Sequence, residues 1–154
     1  MKKKADYIAE KARKSISRFC MEECRSYCCR KGYLNLDARN VDIVTQGRKK
    51  ELEEKKILSK IDDANHSLYL GDVPCPSLKD YKCDIHKNNK RPIACKHFPL
   101  FIEGDTIKLS SRCLAVKQGL FYPYIHSLLK LGYKLSKTNS FSDFDFERIM
   151  KIVD

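Results

Sequence analysis

The chain contains the run Cys20-Met21-Glu22-Glu23-Cys24-Arg25-Ser26-Tyr27-Cys28-Cys29, which places four of its eight cysteines within ten residues. The other four are spread along the middle of the chain, at Cys75, Cys83, Cys95 and Cys113. Thiolates bind soft and borderline metals, chiefly zinc and the iron of iron–sulfur clusters. The pattern therefore predicts a fold that closes around one or two metal centres made from these eight thiols.

Length and composition predict one globular domain over residues 1–154. A chain of 154 residues has the size of a single domain. Charged residues make up 33% and hydrophobic residues 42%, which is typical of a folded rather than a disordered protein. Glycine occurs only six times, and neither GxxxxGK[ST] nor GxGxxG is present, so no glycine-rich nucleotide-binding loop is predicted.

Three lysines follow Met1, as at the start of a signal peptide, but Asp6 and Glu10 interrupt any apolar run behind them. No window is apolar for long enough to span a membrane. We therefore expect a cytoplasmic protein with no membrane contact. Thiols in that compartment are kept reduced, which favours metal binding or catalysis over disulfides. A disulfide framework is the alternative that the even number of cysteines leaves open.

The net charge of +11 suits either anionic partners or a basic, solvated surface. Lysine and arginine are spread along the chain rather than grouped in one block. Aromatic residues do not alternate with basic ones in the way that a base-stacking platform requires. A nucleic-acid-binding zinc module is therefore an alternative that the sequence does not favour.

Residues 5–31 are predicted to form one long helix, because apolar residues recur at steps of three and four. Cys20, Cys24 and Cys28 lie four residues apart and would share one face of that helix. Cys29 would point away from Cys28 unless the helix unwinds there and turns Cys29 back toward the site. These thiols cannot complete a centre by themselves without strain, so Cys75, Cys83 or Cys95 must contribute.

The fold class is predicted to be α+β: a small, helix-rich single domain with short hairpins, organised around a cysteine-ligated metal centre. Residues 73–99, rich in cysteine and proline, are expected to form loops with short strands. The remaining predicted elements are an extended link at 34–36, a helix at 38–46 before Gly47, a charged helical face or loop at 48–56, hairpins joining 57–61 to 66–70 and 99–102 to 106–109, and helices at 114–120, 123–131 and 143–152.

The cysteine spacing bears on the identity of the metal. Helical neighbours four residues apart stand about 5–6 Å apart at Cβ. Thiolates that share one zinc ion stand closer, about 3.8 Å apart for bonds of about 2.3 Å. In an iron–sulfur cluster the thiolates bind different irons and stand farther apart. The spacing favours an iron–sulfur cluster slightly, and zinc stays nearly level because side chains can converge, as two helical histidines do on one zinc.

The four histidines, His66, His86, His97 and His126, have no spacing that makes a metal site. Most are expected to be ordinary surface or core residues. His86 and His97 lie near cysteines and are candidates for ligands or for groups that support the ligands.

Three segments in the middle of the chain resemble a known family: Cys75-Pro76-Ser77-Leu78, Cys83-Asp84-Ile85-His86 and Arg91-Pro92-Ile93-Ala94-Cys95-Lys96-His97-Phe98-Pro99. They are similar to the second half of the YkgJ-like cysteine-cluster family, also described as a zinc- or iron-chelating domain. Its first cysteine cluster, which ends in a Cys-Cys pair, matches Cys20, Cys24, Cys28 and Cys29. Cys113 stands where a later cysteine is common. The resemblance spans about residues 20–113 and leaves the predicted C-terminal helices of residues 114–154 largely outside.

The resemblance implies that the eight cysteines are metal ligands in a protein of unknown biological role. Two features depart from the family pattern: the first cluster has gaps of three residues instead of two, and Lys96 replaces the usual arginine. The first departure could change which thiols share a metal; the second keeps the charge. Arg91 either helps to fix a turn with Pro92 or offsets the charge of nearby thiolates.

A distant similarity to flagellin lysine N-methylase implies an alternative function. It would make the protein an iron–sulfur-dependent enzyme that transfers a methyl group from S-adenosylmethionine to a lysine of a protein substrate. The chain shows no independent methyl-donor site, so this alternative depends on the resemblance alone.

Overall fold

The computed structural model describes residues 1–71, 73–110 and 112–136, and the chain divides into two compact units. Unit 1 contains residues 1–24 and the chain from residue 97 onward, and unit 2 contains residues 25–96. The helices are α1 (Lys2–Ser15), α2 (Ser17–Glu22), α3 (Val41–Thr45), α4 (Lys49–Glu54), α5 (Ile93–His97), α6 (Leu114–Lys117) and α7 (Tyr122–Lys130). The strands are β1 (Tyr33–Asp37), β2 (Leu58–Lys60), β3 (Asn65–Tyr69), β4 (Leu78–Lys79), β5 (Lys82–Cys83), β6 (Leu100–Glu103), β7 (Thr106–Leu109) and β8 (Lys134–Leu135).

This mixture of helices and short strands confirms the predicted α+β class. The extent of the domain as one unit over residues 1–154 stays a prediction. In the residues that the structure describes, no helix is both long and apolar enough to cross a membrane.

Unit 1 packs α1 against α7 and β6. Ala5, Ala9 and Ala12 are fully buried on one face of α1, at the steps of four and three residues that make an apolar stripe. Ile125 and Leu128 of α7 belong to the same core. The adjacent sheet has the order β6-β7-β8, with β6 and β7 antiparallel and β8 parallel to β7.

Arg13 ties α1 to the backbone that leads into β6. Its Nε donates to the carbonyl oxygens of His97 and Leu100, both at 3.1 Å, and its Nη2 donates to that of Leu100 at 2.6 Å. Burial lowers the pKa of Arg13 from its ordinary value. A planar guanidinium can satisfy two carbonyls at once, so this contact fixes the position of the chain that follows residue 97.

Unit 2 is built on an antiparallel sheet of order β1-β3-β2. Its core includes Leu36, Leu52, Leu58 and Leu68, all at most 2% exposed. The predicted hairpin between residues 57–61 and 66–70 is confirmed by the pairing of β2 with β3. The predicted link at 34–36 is extended as expected, but it pairs with β3 as a full strand.

The prediction of one helix over residues 5–31 is wrong. The helix stops at Ser15, and Ile16 adopts φ −99° and ψ 5° before α2 begins. After α2, Arg25 (φ 49°) and Ser26 (φ 54°) are both left-handed, and Cys28 and Cys29 follow on a separate 3₁₀ turn, Tyr27–Cys29. Since two left-handed residues cannot continue an α-helix, Cys20, Cys24 and Cys28 do not share a helical face.

Most other elements agree with expectation but are shorter. The helix predicted from residue 38 begins at Val41, and it ends where Gln46 and Gly47 both have positive φ. The second hairpin is confirmed by β6 and β7, and the helices predicted at 114–120 and 123–131 correspond to α6 and α7. Strand β8 was not predicted. The helix predicted at 143–152 lies outside the described residues.

We predict that Leu128→Ala lowers the free energy of unfolding by about 2–5 kcal/mol, because Leu128 is fully buried in the unit 1 core and its truncation leaves a cavity. The measurement is urea unfolding followed by circular dichroism. Leu120→Ala is the matched control: Leu120 is 42% exposed, and its truncation is expected to change the free energy by less than about 0.5 kcal/mol. Equal losses in the two variants would contradict this packing.

Candidate metal centre

Unit 2 brings together five cysteines from three segments of the chain. Two stand on the 3₁₀ turn, two flank or end the β4–β5 hairpin, and one lies in α5; they are Cys28, Cys29, Cys75, Cys83 and Cys95. All five are partly buried. Each interacts electrostatically with at least two of the others, so these thiols are neighbours in space. We call them the five-thiol cluster.

Backbone hydrogen bonds hold the first two segments together. The backbone N–H of Cys75 donates to the carbonyl oxygen of Cys29 at 2.8 Å. The N–H of Leu78 donates to the carbonyl oxygen of Cys75 at 2.9 Å, and Leu78 pairs with Cys83 across the hairpin. The positions of Cys29, Cys75 and Cys83 are therefore set by main-chain contacts rather than by side-chain packing alone.

A second contact between these segments joins two stretches of left-handed backbone, and we call it the loop clasp. Arg25 and Ser26 form one stretch, and Asp80 (φ 49°) and Tyr81 (φ 61°) form the other. The hydroxyl of Ser26 donates to the carbonyl oxygen of Tyr81 at 2.6 Å. The guanidinium groups of Arg25 and Arg30 lie 6.0 and 5.9 Å from the centre of the Tyr81 ring, within the range of cation–π attraction. Non-glycine residues are strained in the left-handed conformation, and the contacts of the clasp offset the free energy of that strain.

Ser77 anchors the turn that follows Cys75. Its side chain is buried, and its hydroxyl donates to the carbonyl oxygen of Val44 at 2.7 Å. The N–H of Asp84 donates to the carbonyl oxygen of Ser77 at 2.7 Å. The turn is thereby fixed on the end of α3 on one side and on the strand end that carries Cys83 on the other.

The cluster makes its thiolate forms unfavourable. A hydrogen bond with Cys28, followed by burial, raises the pKa of Cys29 far above its ordinary value. Burial, together with the neighbouring Cys83 and Cys28, raises the pKa of Cys75. Burial raises the pKa of Cys95 to about 12, although Arg91 acts in the opposite direction. Several thiolates can coexist here only with a compensating cation, which a bound metal provides.

The structure confirms one of the two roles expected for Arg91, that of offsetting thiolate charge. Its positive charge favours the thiolate form of Cys95. Its Nη2 donates to the carbonyl oxygen of Cys95 at 2.9 Å, and its Nη1 lies 3.2 Å from Nδ1 of His86. Lys96 donates instead to the carbonyl oxygen of Asn89. The guanidinium therefore supports the α5 end of the cluster.

The other three cysteines lie in unit 1. Cys113 is buried in the hydrophobic core at the N-terminus of α6, and Cys20 packs against the same core. The thiol of Cys24 donates to the carbonyl oxygen of Cys20 at 3.4 Å. The role of these three as ligands, and of all eight cysteines as one ligand set, stays a prediction.

The donor chemistry of the five-thiol cluster fits zinc or an iron–sulfur cluster. The side chains are not arranged around a single point. Among the described residues, no three His, Cys, Asp or Glu side chains converge closely enough to hold one metal ion. A mononuclear site would therefore require the thiols to rotate toward a common centre.

Sequence reasoning missed the residues that support the cluster. Ser26 and Tyr81 are 55 positions apart, and no local pattern links them. Ser77 follows Pro76, and a small polar residue after proline is a common turn signal that could have identified it. Of the histidines near cysteines, His86 contacts Arg91, and His97 accepts the hydrogen bond from Arg13 through its backbone carbonyl.

Comparison with known families shows what the chain is similar to. A family model, CxxCxxCC, described as "Putative zinc- or iron-chelating domain", matches residues 19–114. The match covers more than half of the chain and includes all eight cysteines. No curated protein and no solved structure matches the chain significantly. The similarity to flagellin lysine N-methylase is not shown by these comparisons.

We predict that Ser26→Gly lowers the free energy of unfolding by about 1 kcal/mol, because it removes the hydrogen bond to Tyr81 while glycine suits the left-handed backbone. Ser26→Ala should cost more, since alanine loses the bond and keeps the strain. Urea unfolding measures both. Ser59→Ala, at an exposed position of β2, is the control and should be neutral. A Ser26→Ala variant as stable as the parent would show that the hydrogen bond from Ser26 to Tyr81 contributes nothing.

Proposed function

The chain belongs to the CxxCxxCC family of zinc- or iron-chelating cysteine-cluster domains. We propose that it holds an iron–sulfur cluster through four of the five thiols of unit 2, which are Cys28, Cys29, Cys75, Cys83 and Cys95. The observation that supports this proposal is the gathering of these five thiols in unit 2 from three separate segments. A Cys₄ iron–sulfur cluster needs four of them. The fifth would remain as a neighbouring thiol.

The arrangement of the thiols supports iron–sulfur over zinc. A structural zinc ion requires four donors at one point. Within the described residues no three donors meet in that way, although the five thiols are close enough to affect one another electrostatically. Thiolates of an iron–sulfur cluster bind separate irons and so tolerate a wider spacing. Zinc is the alternative, reached by rotation of the side chains.

The residues around the thiols have separate tasks in this proposal. Arg91 offsets part of the thiolate charge at Cys95. The Cys75–Cys29 backbone bond and the loop clasp keep the first two segments in register before any metal binds. When bound, an iron–sulfur group would supply reversible electron transfer and a covalent link among three segments of the chain.

We propose three further ligands, Cys20, Cys24 and Cys113, because the family match includes them and eight thiols exceed the needs of one centre.

We also propose a cytoplasmic location. Cys24, Cys29, Cys75, Cys83 and Cys95 are free thiols, and a reducing compartment keeps them available for metal.

The identity of the metal is tested on protein purified without oxygen. We expect a brown preparation that absorbs near about 400 nm and contains iron and acid-labile sulfide in equal amounts. A colourless preparation with stoichiometric zinc would replace the iron–sulfur proposal by the zinc alternative. A reduced protein that is fully folded and contains neither metal would rule out both.

We predict that the double variant Cys83→Ser with Cys95→Ser reduces metal affinity at least tenfold, because only three thiols of the five-thiol cluster then remain for a centre that needs four ligands. Elemental analysis after dialysis against a competing chelator measures the change. Ser59→Ala is the control for metal that is lost during purification and dialysis. Cys113→Ser tests the wider ligand set: a clear loss of metal in this variant supports it, and full metal content would limit the ligands to unit 2.

We predict that removing the metal with a chelator accelerates amide hydrogen exchange at residues 25–31 and 75–84 by about tenfold or more, because metal binding energy contributes to the stability of the segments it joins. Residues 100–109 and 122–130 of unit 1 should change less. Mass spectrometry of peptides from both units in the same sample measures the difference. A uniform change across the chain would show that metal binding stabilises unit 1 as much as unit 2, and would contradict the prediction.

A further inference from the structure

A groove of about 800 Å³ opens on unit 2, next to the segment that carries Cys95. Its lining includes Ala94 and Lys96, the two residues that flank Cys95. This volume falls within the range of about 300–1,000 Å³ that is typical of small-molecule sites. None of the functions discussed above uses it.

The groove is strongly basic. Arg39, Lys90, Arg91 and Lys96 line it, against one carboxylate from Asp37. Asp37 is already paired with Arg39, at 3.0 Å between Oδ2 and Nη2. Throughout the described part of the chain, Lys90, Arg91 and Lys96 form no ion pair with a carboxylate. Three positive charges therefore face one groove with no negative partner of their own.

Two of these three cations are held in place by the backbone. Lys96 donates to the carbonyl oxygen of Asn89, and Arg91 donates to that of Cys95. The Nε atom of Arg91 is buried, and no acceptor for it exists in the described residues. Buried donors are nearly always satisfied, so an unsatisfied guanidinium N–H beside a groove indicates that an acceptor is missing. Four asparagines also line the groove: Asn35, Asn40, Asn65 and Asn89.

We propose that this groove binds a small molecule through an oxyanion, a phosphate or a carboxylate group, placed beside the α5 end of the five-thiol cluster. Arginine and lysine are the side chains that recognise such groups, arginine through its planar fork and lysine as a point charge. Pro92 and Ile93 add apolar surface to the lining, and Ile93 is 65% exposed. The ligand is thus expected to combine an anionic group with a less polar body. This proposal does not depend on which metal the thiols bind.

The test is calorimetric titration of the full chain, as purified, with inorganic pyrophosphate and with citrate. We expect saturable binding of at least one of them, and the stronger of the two identifies the oxyanion as phosphate or carboxylate. Lys90→Gln should weaken that binding about fivefold, the most that an exposed ion pair usually contributes. The double variant Lys90→Gln with Lys96→Gln should weaken it further, by the product of the two single effects if these are independent.

Lys87→Gln is the matched control, since Lys87 is an exposed lysine three positions before Lys90 and is not part of the groove lining. The affinity of Lys87→Gln for the anion should lie within about twofold of that of the parent, because salt weakens the attraction between an exposed charge and an ion that it does not contact. Equal weakening by Lys87→Gln and Lys90→Gln would overturn the proposal and assign anion binding to the net charge of the whole protein. Absence of saturable binding for both probes would overturn it as well. Metal content, measured in the same samples, reports separately on the proposed metal centre.

Discussion

The hydrogen bond from the Ser26 hydroxyl to the Tyr81 carbonyl holds together the two loops beside which the first four cysteines of the five-thiol cluster lie. It joins two pairs of left-handed residues. The first pair directly follows Cys24, and the second lies two positions before Cys83. Because left-handed residues end the helical run after α2, Cys28 and Cys29 leave the helix and turn toward Cys75. The left-handed residues thus cause both the strain of the backbone and the approach of these thiols to one another.

The gathered thiols impose an electrostatic requirement. Partly buried sulfur atoms that face one another resist ionisation, as the raised pKa values of Cys29, Cys75 and Cys95 indicate. Arg91 relieves this at one end only. A multivalent cation satisfies the remainder, which gives the metal-chelating family assignment a physical basis in this chain. The same guanidinium faces a basic groove, so charge balance connects the thiols to the proposed oxyanion site.

Local patterns predicted much of the fold. The two hairpins were correctly predicted because alternating apolar residues flank short turn sequences, and turn chemistry acts between neighbours. Helix α7 was correctly predicted over residues 123–131, because Gly132 marks the end of a helix. The helix over residues 5–31 was wrong because periodicity alone gave no signal for the break at Ile16 or for the left-handed pair at Arg25 and Ser26. Strand β8 was missed because its pairing with β7 depends on a partner far away in sequence.

The candidate site likewise has features that the sequence predicts and features that only contacts between distant residues decide. Cysteine number and spacing were enough to predict thiolate metal chemistry, because the donor type is a property of the side chain itself. Spacing could not predict that Cys28, Cys29, Cys75, Cys83 and Cys95 gather in unit 2 while Cys20, Cys24 and Cys113 lie in unit 1. That partition is decided by backbone contacts between residues tens of positions apart, such as Ser26 with Tyr81 and Cys75 with Cys29. Such contacts exist only once the chain has folded, so the chemistry of the ligands follows from the amino acids and their grouping from the tertiary structure.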